Sequence, residues 1–494
     1  MTLRRYERYK DSGVEWLGAV PAHWQMKRLR FVVTINPPKL EISHLARDTE
    51  VSFLPMEAVG DDGSLNLDRT RPIGEVESGY TYFRDGDVTI AKITPCFENG
   101  KGALMCGLIG GVGFGTTELI VVRPIADAAT GAYLNWIFRS GVFRQHGEAS
   151  MYGAGGQKRI SEDFVRDFKF PFPPLGEQAE LVGYLDRETA KIDTLIAEQQ
   201  RLIEVLTEKR QAVIAQAVTK GLNPSVPMKD SGVEWLGAVP AHWDVVRLKF
   251  IAHVQTGIAK GKDNSGKQTV EVPYLRVANV QDGYLDLDDV STIELPADDL
   301  PRYRLQAGDV LMNEGGDFDK LGRGHVWDGS IDPCIHQNHV FAVRPFAVSP
   351  RWLNAVTGSA YAQFYFMSRS KQSTNLASIS TTNIMELPVV IPPAGEQEAL
   401  LDWLDAQSTA FDRLIEDAGN AVRLLRERRT ALISAAVTGQ IDVRDRPSLD
   451  TDLEATRADI AAGRYVVESA AAHVARLQAM ASADEPSAPP PAPC

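Results

Sequence analysis

Cysteine is scarce in this chain. Cys96, Cys106, Cys334 and Cys494 are the only ones in 494 residues, and no two form a CxxC pair. Such spacing suggests neither a metal ligand set nor a disulfide framework, and it points to a reducing cytoplasm with thiols as packing residues. Long apolar runs are also missing, so no bilayer span is expected. The basic start MTLRRYERYKDSGVEW has no apolar stretch behind it, so it does not read as a signal peptide. No GxxxxGK[ST] run occurs, which leaves a P-loop ATPase unsupported. Positive charge is in deficit, with 52 Lys+Arg against 65 Asp+Glu and a net charge of −13. That argues at first against a polyanion partner. A binding face needs only local positive potential, however. Part of the acidic excess sits near the end, in DVRDRPSLDTDLEATRADI. Nucleic acid stays open as a partner class. The composition, 44% apolar and 24% charged, is that of a soluble globular protein, and the length calls for several domains.

What the chain does have is an internal repeat. KDSGVEWLGAVPAHW stands at Lys10–Trp24 and again at Lys229–Trp243, 219 positions later. Two more pairs keep that offset: Pro173-Pro174-Leu175-Gly176-Glu177-Gln178 with Pro392-Pro393-Ala394-Gly395-Glu396-Gln397, and Ala217-Val218-Thr219 with Ala436-Val437-Thr438. Repeats of this kind mean repeated structural units. The stretch behind each strap reads as strands, turns and a helix. In the first, GDVTIAKI and ELIVVRP look like buried strands, and a helix is expected at Ala132–Phe143. AGDVLMNE, HVFAVRP and PRWLNAVTGS occupy the matching places in the second. Two bodies of one fold are expected, differing in loops and side chains.

Behind each body the apolar period changes. Leu181, Leu185, Ile192, Leu195, Leu202, Leu206 and Val213 fall at steps of three, four or seven, a heptad seam. The same offset gives Leu400, Leu404, Phe411, Leu414, Ala421, Leu425 and Leu432. Prolines precede and glycines (Gly221, Gly439) follow each stretch, as start and stop signals require. A helix of about 40 residues, ~60 Å at ~1.5 Å per residue, cannot bury its stripe alone. The economical partner is the other copy, giving a coiled coil.

Several constellations look chemical and read more simply. Asn36-Pro37-Pro38-Lys39 lacks the aromatic that a base-flipping methyltransferase loop needs in fourth place. The Gly110–Gly115 run is not set in a strand–turn–helix unit. His336 and His339 have no third ligand at a useful spacing. Asp87 and Asp309, in the repeated GDV, suit a turn-closing role. Four basic, glycine-rich, amide-bearing loops remain. They carry Lys101, then Gly156, Gln157, Lys158 and Arg159, in the first body, and Lys320, Arg323, Lys371, Gln372 and Asn375 in the second. Lys and Arg hold phosphates, and Gln, Asn and Arg pair with base edges. Such loops are also ordinary solvated turns, so these residues are candidate DNA contacts and nothing firmer.

The layout resembles the specificity subunit of type I restriction–modification systems. The resemblance rests on the two straps, on PPLGEQAELVGYLD and PPAGEQEALLDWLD, and on KRQAVIAQAVTKG and RRTALISAAVTGQ, and covers about Lys10 to Val443. It implies an α+β chain with two target-recognition domains joined by two long helices in an antiparallel coiled coil. The division would be a strap at 1–24, a recognition domain at 25–170 and a long helix at 171–222. A second strap at 223–243, a second recognition domain at 244–389 and a second long helix at 390–443 would follow. An acidic, Ala/Pro-rich, partly disordered tail is expected over 444–494. The implied partners are double-stranded DNA, two methylation subunits and restriction subunits. No catalytic residue, metal or cofactor is expected in this chain; S-adenosylmethionine, ATP and magnesium would belong to the partners. Two rivals stay open: a coiled-coil scaffold with no DNA role, and an enzyme with an unrecognised site.

Overall fold

The computed structural model describes residues 4–444 except 155, 262–265, 317, 319–320 and 374–375. The tail expected from 444 onward therefore lies, beyond Arg444, outside the described residues. The chain divides into two units. One holds residues up to Asp193 together with those from Arg426; the other is Thr194–Leu425.

In the first unit the strap folds back on itself, Tyr9–Asp11 pairing antiparallel with Ala19–Pro21. The body then hangs on a two-stranded neck, Gln25–Arg28 against Lys169–Phe172. Above it lie two four-stranded sheets. One has the order Val33–Ile35, Leu119–Pro124, Val88–Ala91, Gly102–Leu104, and is antiparallel throughout. Leu119 to Val122 and Val88 to Ala91 are buried, which is why these central strands read as unbroken apolar runs. The other sheet has the order Thr70–Pro72, Glu50–Leu54, Val112–Gly115, Thr81–Arg84, with one parallel pair. Where one helix was expected there are two, Gly131–Arg139 and Gly141–Ser150. Ser140 ends the first and caps the second, its hydroxyl accepting from the Phe143 amide.

The second unit repeats the plan. Met228–Asp230 pairs with Ala238–Pro240, and the neck is Asp244–Arg247 against Pro388–Ile391. The main sheet runs Ala252–Thr256, Val340–Pro345, Val310–Asn313, Gly324–Val326, in the order of its counterpart. Asp87 and Asp309 close the turn before the central strand in each, accepting from the Arg84 and Gln306 amides at 2.9 and 2.8 Å. Each also holds an arginine of the neighbouring strand bidentately, Arg123 or Arg344.

The long helices are Leu175–Lys220 and Ala394–Val437. Gly221 and Gly439 follow them in the left-handed conformation, with φ of 71° and 74°. The repeated Gly-Glu-Gln explains itself at their starts. Glu177 accepts from the Trp24 indole at 3.0 Å, and Glu396 from Trp243 at 3.0 Å; both Trp rings are fully buried. Gln178 and Gln397 donate to the Pro173 and Pro392 carbonyls. The strap is thus frame, seated on the start of a long helix. The opposite ends close the same seats: Gly439 packs on Trp24 and Gly221 on Trp243. In the first unit the segment after the second long helix meets the strap there, the Asp442 amide donating to the Arg4 carbonyl at 2.8 Å and the Tyr9 hydroxyl to the Gly439 carbonyl at 3.2 Å.

Within each unit the two helices run antiparallel. Leu181 and Leu185 share a core with Ile433, Ala436 and Val437; Ala217 and Val218 share one with Leu400, Leu401 and Leu404. One ion pair recurs: Arg429 grips Asp193 at 2.8 and 3.1 Å, and Arg210 faces Asp412 at 3.5 Å. The fold class is thus α+β, with two pseudo-repeated bodies and two long helices packed antiparallel.

The seam needs correction in its middle. Ile192, Phe411, Leu400 and Leu404 are buried, and Leu206, Val213, Leu425 and Leu432 are half-buried. Leu195, Leu202 and Leu414, expected in it, are instead 43%, 43% and 52% exposed. Burial runs through Thr189, Ile192, Ile196, Gln199 and Ile203 in the first helix, and through Phe411, Ile415, Ala418 and Val422 in the second. After Ile192 the stripe advances by four, to Ile196, where three had been assumed. Polar Thr189 and Gln199 inside the seam hid that phase, and the leucines beside it were the more conspicuous residues.

Candidate nucleic-acid interface

After the central strand Val88–Ala91 the chain leaves the core and meets a hairpin, Tyr152–Arg159. Tyr152 and Arg159 exchange backbone hydrogen bonds at 3.1 and 2.9 Å, the Thr94 amide donates to the Lys158 carbonyl at 3.0 Å, and the Ile160 amide donates to the Lys92 carbonyl at 2.9 Å. The two loops singled out in this body, Glu98–Gly102 and Tyr152–Arg159, therefore root side by side; the Thr94 hydroxyl donates to Glu98 at 2.9 Å as well. Gly153 is required at its place, since it has φ of 132° and a Cβ there would stand 2.6 Å from the Gln157 carbonyl oxygen.

The candidate side chains separate into two groups. Gly156, Gln157 and Lys158 are exposed toward the tip, with Tyr152 63% exposed at the root. Arg159 and Lys101 turn inward. Arg159 is forked onto Glu118 at 3.0 and 2.8 Å, and Lys101 donates to the Met56 carbonyl at 3.1 Å. The hydrogen bonds from Arg159 hold the Glu118 carboxyl below its usual range. Arg159 thus buttresses the hairpin and Gln157 and Lys158 present it. Lys92 and Glu118 were not anticipated; no repeat or spacing marks Glu118 before the fold brings it to Arg159.

The second body carries a hairpin at the same place in the repeat. Lys371–Ser373 pairs with Leu376–Ser378, which in turn pairs with Gly315–Gly316 just beyond the central strand. The Ile379 amide donates to the Glu314 carbonyl at 2.9 Å, as Ile160 does to Lys92. Lys371 and Gln372 are exposed. Arg323 is half-buried and adjacent, its carbonyl taking the Asn313 amide at 3.0 Å. Lys320 and Asn375 lie outside the described residues. Here the root is braced differently, by His339 against Glu314 at 2.7 Å. So the two hairpins share position and attachment while their sequences differ, YGAGGQKR against KQSTNLAS.

The competing constellations resolve into structure. Asn36, at φ 47°, ends the strand Val33–Ile35 and holds it to its neighbour, its side chain accepting from the Val121 amide at 2.9 Å. Gly110 and Gly111 make a turn into the strand Val112–Gly115. His336 is wholly buried, with Nδ1 2.7 Å from the Val340 carbonyl, and burial pushes its pKa down to about 4. Among the described residues no group of three or more His, Cys, Asp or Glu could hold a metal ion. No helix among them is long and apolar enough to cross a membrane.

Comparison with known proteins places this architecture. No family model matches the chain. It is 25% identical to the type I restriction enzyme EcoEI specificity subunit of Escherichia coli, over 85% of this chain and 83% of that one. To the EcoAI specificity subunit of Escherichia coli it is 27% identical, over 78% and 77%. Among solved structures, a chain from work on complex assembly and conformational transition of the type I R-M system superposes with a TM-score of 0.65 at 18% identity, over 85% of this chain and 98% of that one. The HsdS subunit of Thermoanaerobacter tengcongensis gives 0.50 at 17%, with the same coverage. The solved structures share the fold. Over most of its length the sequence is similar to type I specificity subunits.

Proposed function

We propose that this chain is the DNA-recognition subunit of a type I restriction–modification complex and, by itself, not an enzyme. The observation that carries this is the contrast between identical frame and divergent hairpins. Both straps are seated on their helices by the same Trp–Glu bond, while the exposed hairpins at matching places differ in every tip residue. A chain that must read two different short sequences needs this: one fold used twice, with the chemistry varied where bases are met. The names of the relatives support the reading.

In this reading each body reads one half of a bipartite, asymmetric duplex target. Gln157 and Gln372 offer the amide pair suited to an adenine edge, and Lys158 and Lys371 hold phosphates. The paired helices set the gap between the halves and offer two alike surfaces to two methylation subunits, which restriction subunits join. Methyl transfer from S-adenosylmethionine and ATP- and magnesium-dependent steps belong to those partners, in the cytoplasm. Phosphate neutralisation shared with partners relieves this chain of the need to be basic overall. The test is a map of methylated adenines in host DNA with and without the gene. A two-part motif that disappears on deletion supports the reading. Unchanged methylation, or no sequence-selective DNA binding by the chain with its methylation subunits, favours a scaffold instead.

A further inference from the structure

The repeat allows one half of the chain to be used as a template for the other. In the first unit the helix Gly131–Arg139 turns two large side chains toward the long helices. Trp136 is buried and donates its indole N–H to Asp186 at 3.0 Å, and the Arg139 guanidinium lies 4.8 Å from the centre of the Trp136 ring. Burial and the nearby charges of Arg429 and Arg144 push the Arg139 pKa down to about 10, against the opposing pull of Asp62 and Asp193; the side chain packs on the Asp62-Gly63 turn, where a Cβ on Gly63 would stand 3.2 Å from its Nη1.

In the second unit, 219 residues on, Ala355 replaces Trp136 and Gly358 replaces Arg139. The acids remain. Asp405 and Asp412 stand for Asp186 and Asp193, and the turn recurs as Asp282-Gly283. Gly283 has open space where Gly63 meets a guanidinium. The result is a cavity of about 400 Å³ whose lining includes Arg210, Asp282, His325, Asn354, Leu404 and Asp405. His325 Nδ1 and Arg210 Nε are buried there with no hydrogen-bond partner among the described residues. Burial pushes the His325 pKa down, against the pull of Asp328, and so favours the neutral ring. Arg351 reaches Asp405 at 2.6 Å, with Asp402 and Glu398 at 3.6 Å, and the lining itself holds the acids Asp282 and Asp405 and the arginines Arg210 and Arg351.

We propose that this cavity is a docking site for an arginine side chain carried beside an aromatic ring on a protein partner. The filled half shows the chemistry that fits, and Asp282, counterpart of the Asp62 beside Arg139, is retained where Gly358 replaces that arginine. Its empty volume exceeds what a single water needs by far. The proposal goes beyond DNA reading and does not rest on it.

The probe is the chain's own template, a fluorescent peptide of residues 131–140, titrated against the full-length protein by anisotropy. Saturable binding is expected. Carrying Trp136→Ala and Arg139→Ala in the peptide should weaken it about tenfold or more, the size of a lost charged hydrogen bond. Filling the cavity with Ala355→Trp and Gly358→Arg in the protein should abolish it. Absence of saturable binding, equal binding of the alanine peptide, or undiminished binding to the filled protein would overturn the proposal. So would saturable binding of benzamidine, a small aromatic cation, without binding of the peptide, since the occupant would then be a small molecule. Should the double variant fail to fold, Asp282→Asn on its exposed turn decides: weaker binding supports the site, and unchanged affinity overturns it.

Discussion

Leu185 and Leu195 are both leucines on one helix, and the fold treats them oppositely. Leu185 is wholly buried in the first core and Leu195 is 43% exposed. Leu185→Ala should cost about 2–5 kcal/mol, the range for deleting a buried leucine side chain. Leu195→Ala should stay within ~0.5 kcal/mol, as surface changes do. Urea midpoints of the two variants check this; equal losses would restore Leu195 to the seam. His336 makes a second residue-scale prediction. Its folded pKa, about 4, lies below the ordinary 6.5 because burial disfavours the charged ring. The unfolded chain therefore binds the proton more readily. The stability held by the neutral ring is present above pH 6.5 and is lost as pH falls toward 4, by about 3 kcal/mol at most. His336→Asn should flatten the slope of unfolding free energy between those pH values. A slope unchanged by the substitution would mean that other groups carry the acid sensitivity.

At the scale of elements, the long helices and the hairpins were legible to different degrees. Proline starts, glycine stops and heptad spacing marked both helices, because local chemistry alone sets those signals. The seam's phase was not legible, since Thr189 and Gln199 lie in it and no sequence rule says which of two neighbouring stripes meets a partner. The hairpins were found by their glycines and amides, yet which side chains are free was not. Arg159 is a candidate contact by its loop, and only the fold shows that Glu118, distant in sequence, holds its guanidinium. Glu118→Ala should therefore loosen the hairpin without touching its tip, relaxing selectivity in one half of the methylated motif. Gln157→Ala should relax the same half, by ~1–3 kcal/mol of discrimination at one position. Methylated-site sequencing checks both; loss of selectivity in the other half would assign the hairpin wrongly. For the helices, one heptad inserted at matched positions in both keeps the seam in phase and adds ~10 Å. On this account the unspecified gap in the target lengthens and both halves keep their sequence. A changed half with an unchanged gap would separate the helices from spacing.

For the whole molecule, the repeat explains more than any motif. The 15-residue strap is the most conspicuous feature of the sequence, and the structure makes it mounting: Trp24 and Trp243 are buried against Glu177 and Glu396. The hairpins at matching places differ in sequence, and their chemistry is unremarkable in isolation, so the sequence offers candidate contacts there without ranking them. The central claim is that the two bodies read separately. The most direct measurement replaces residues 25–170 with the first body of a type I specificity subunit and maps methylated adenines in cells that also supply the methylation subunits. The account predicts a motif in which one half is new and the other half is retained. A motif changed in both halves, or in neither, would contradict it.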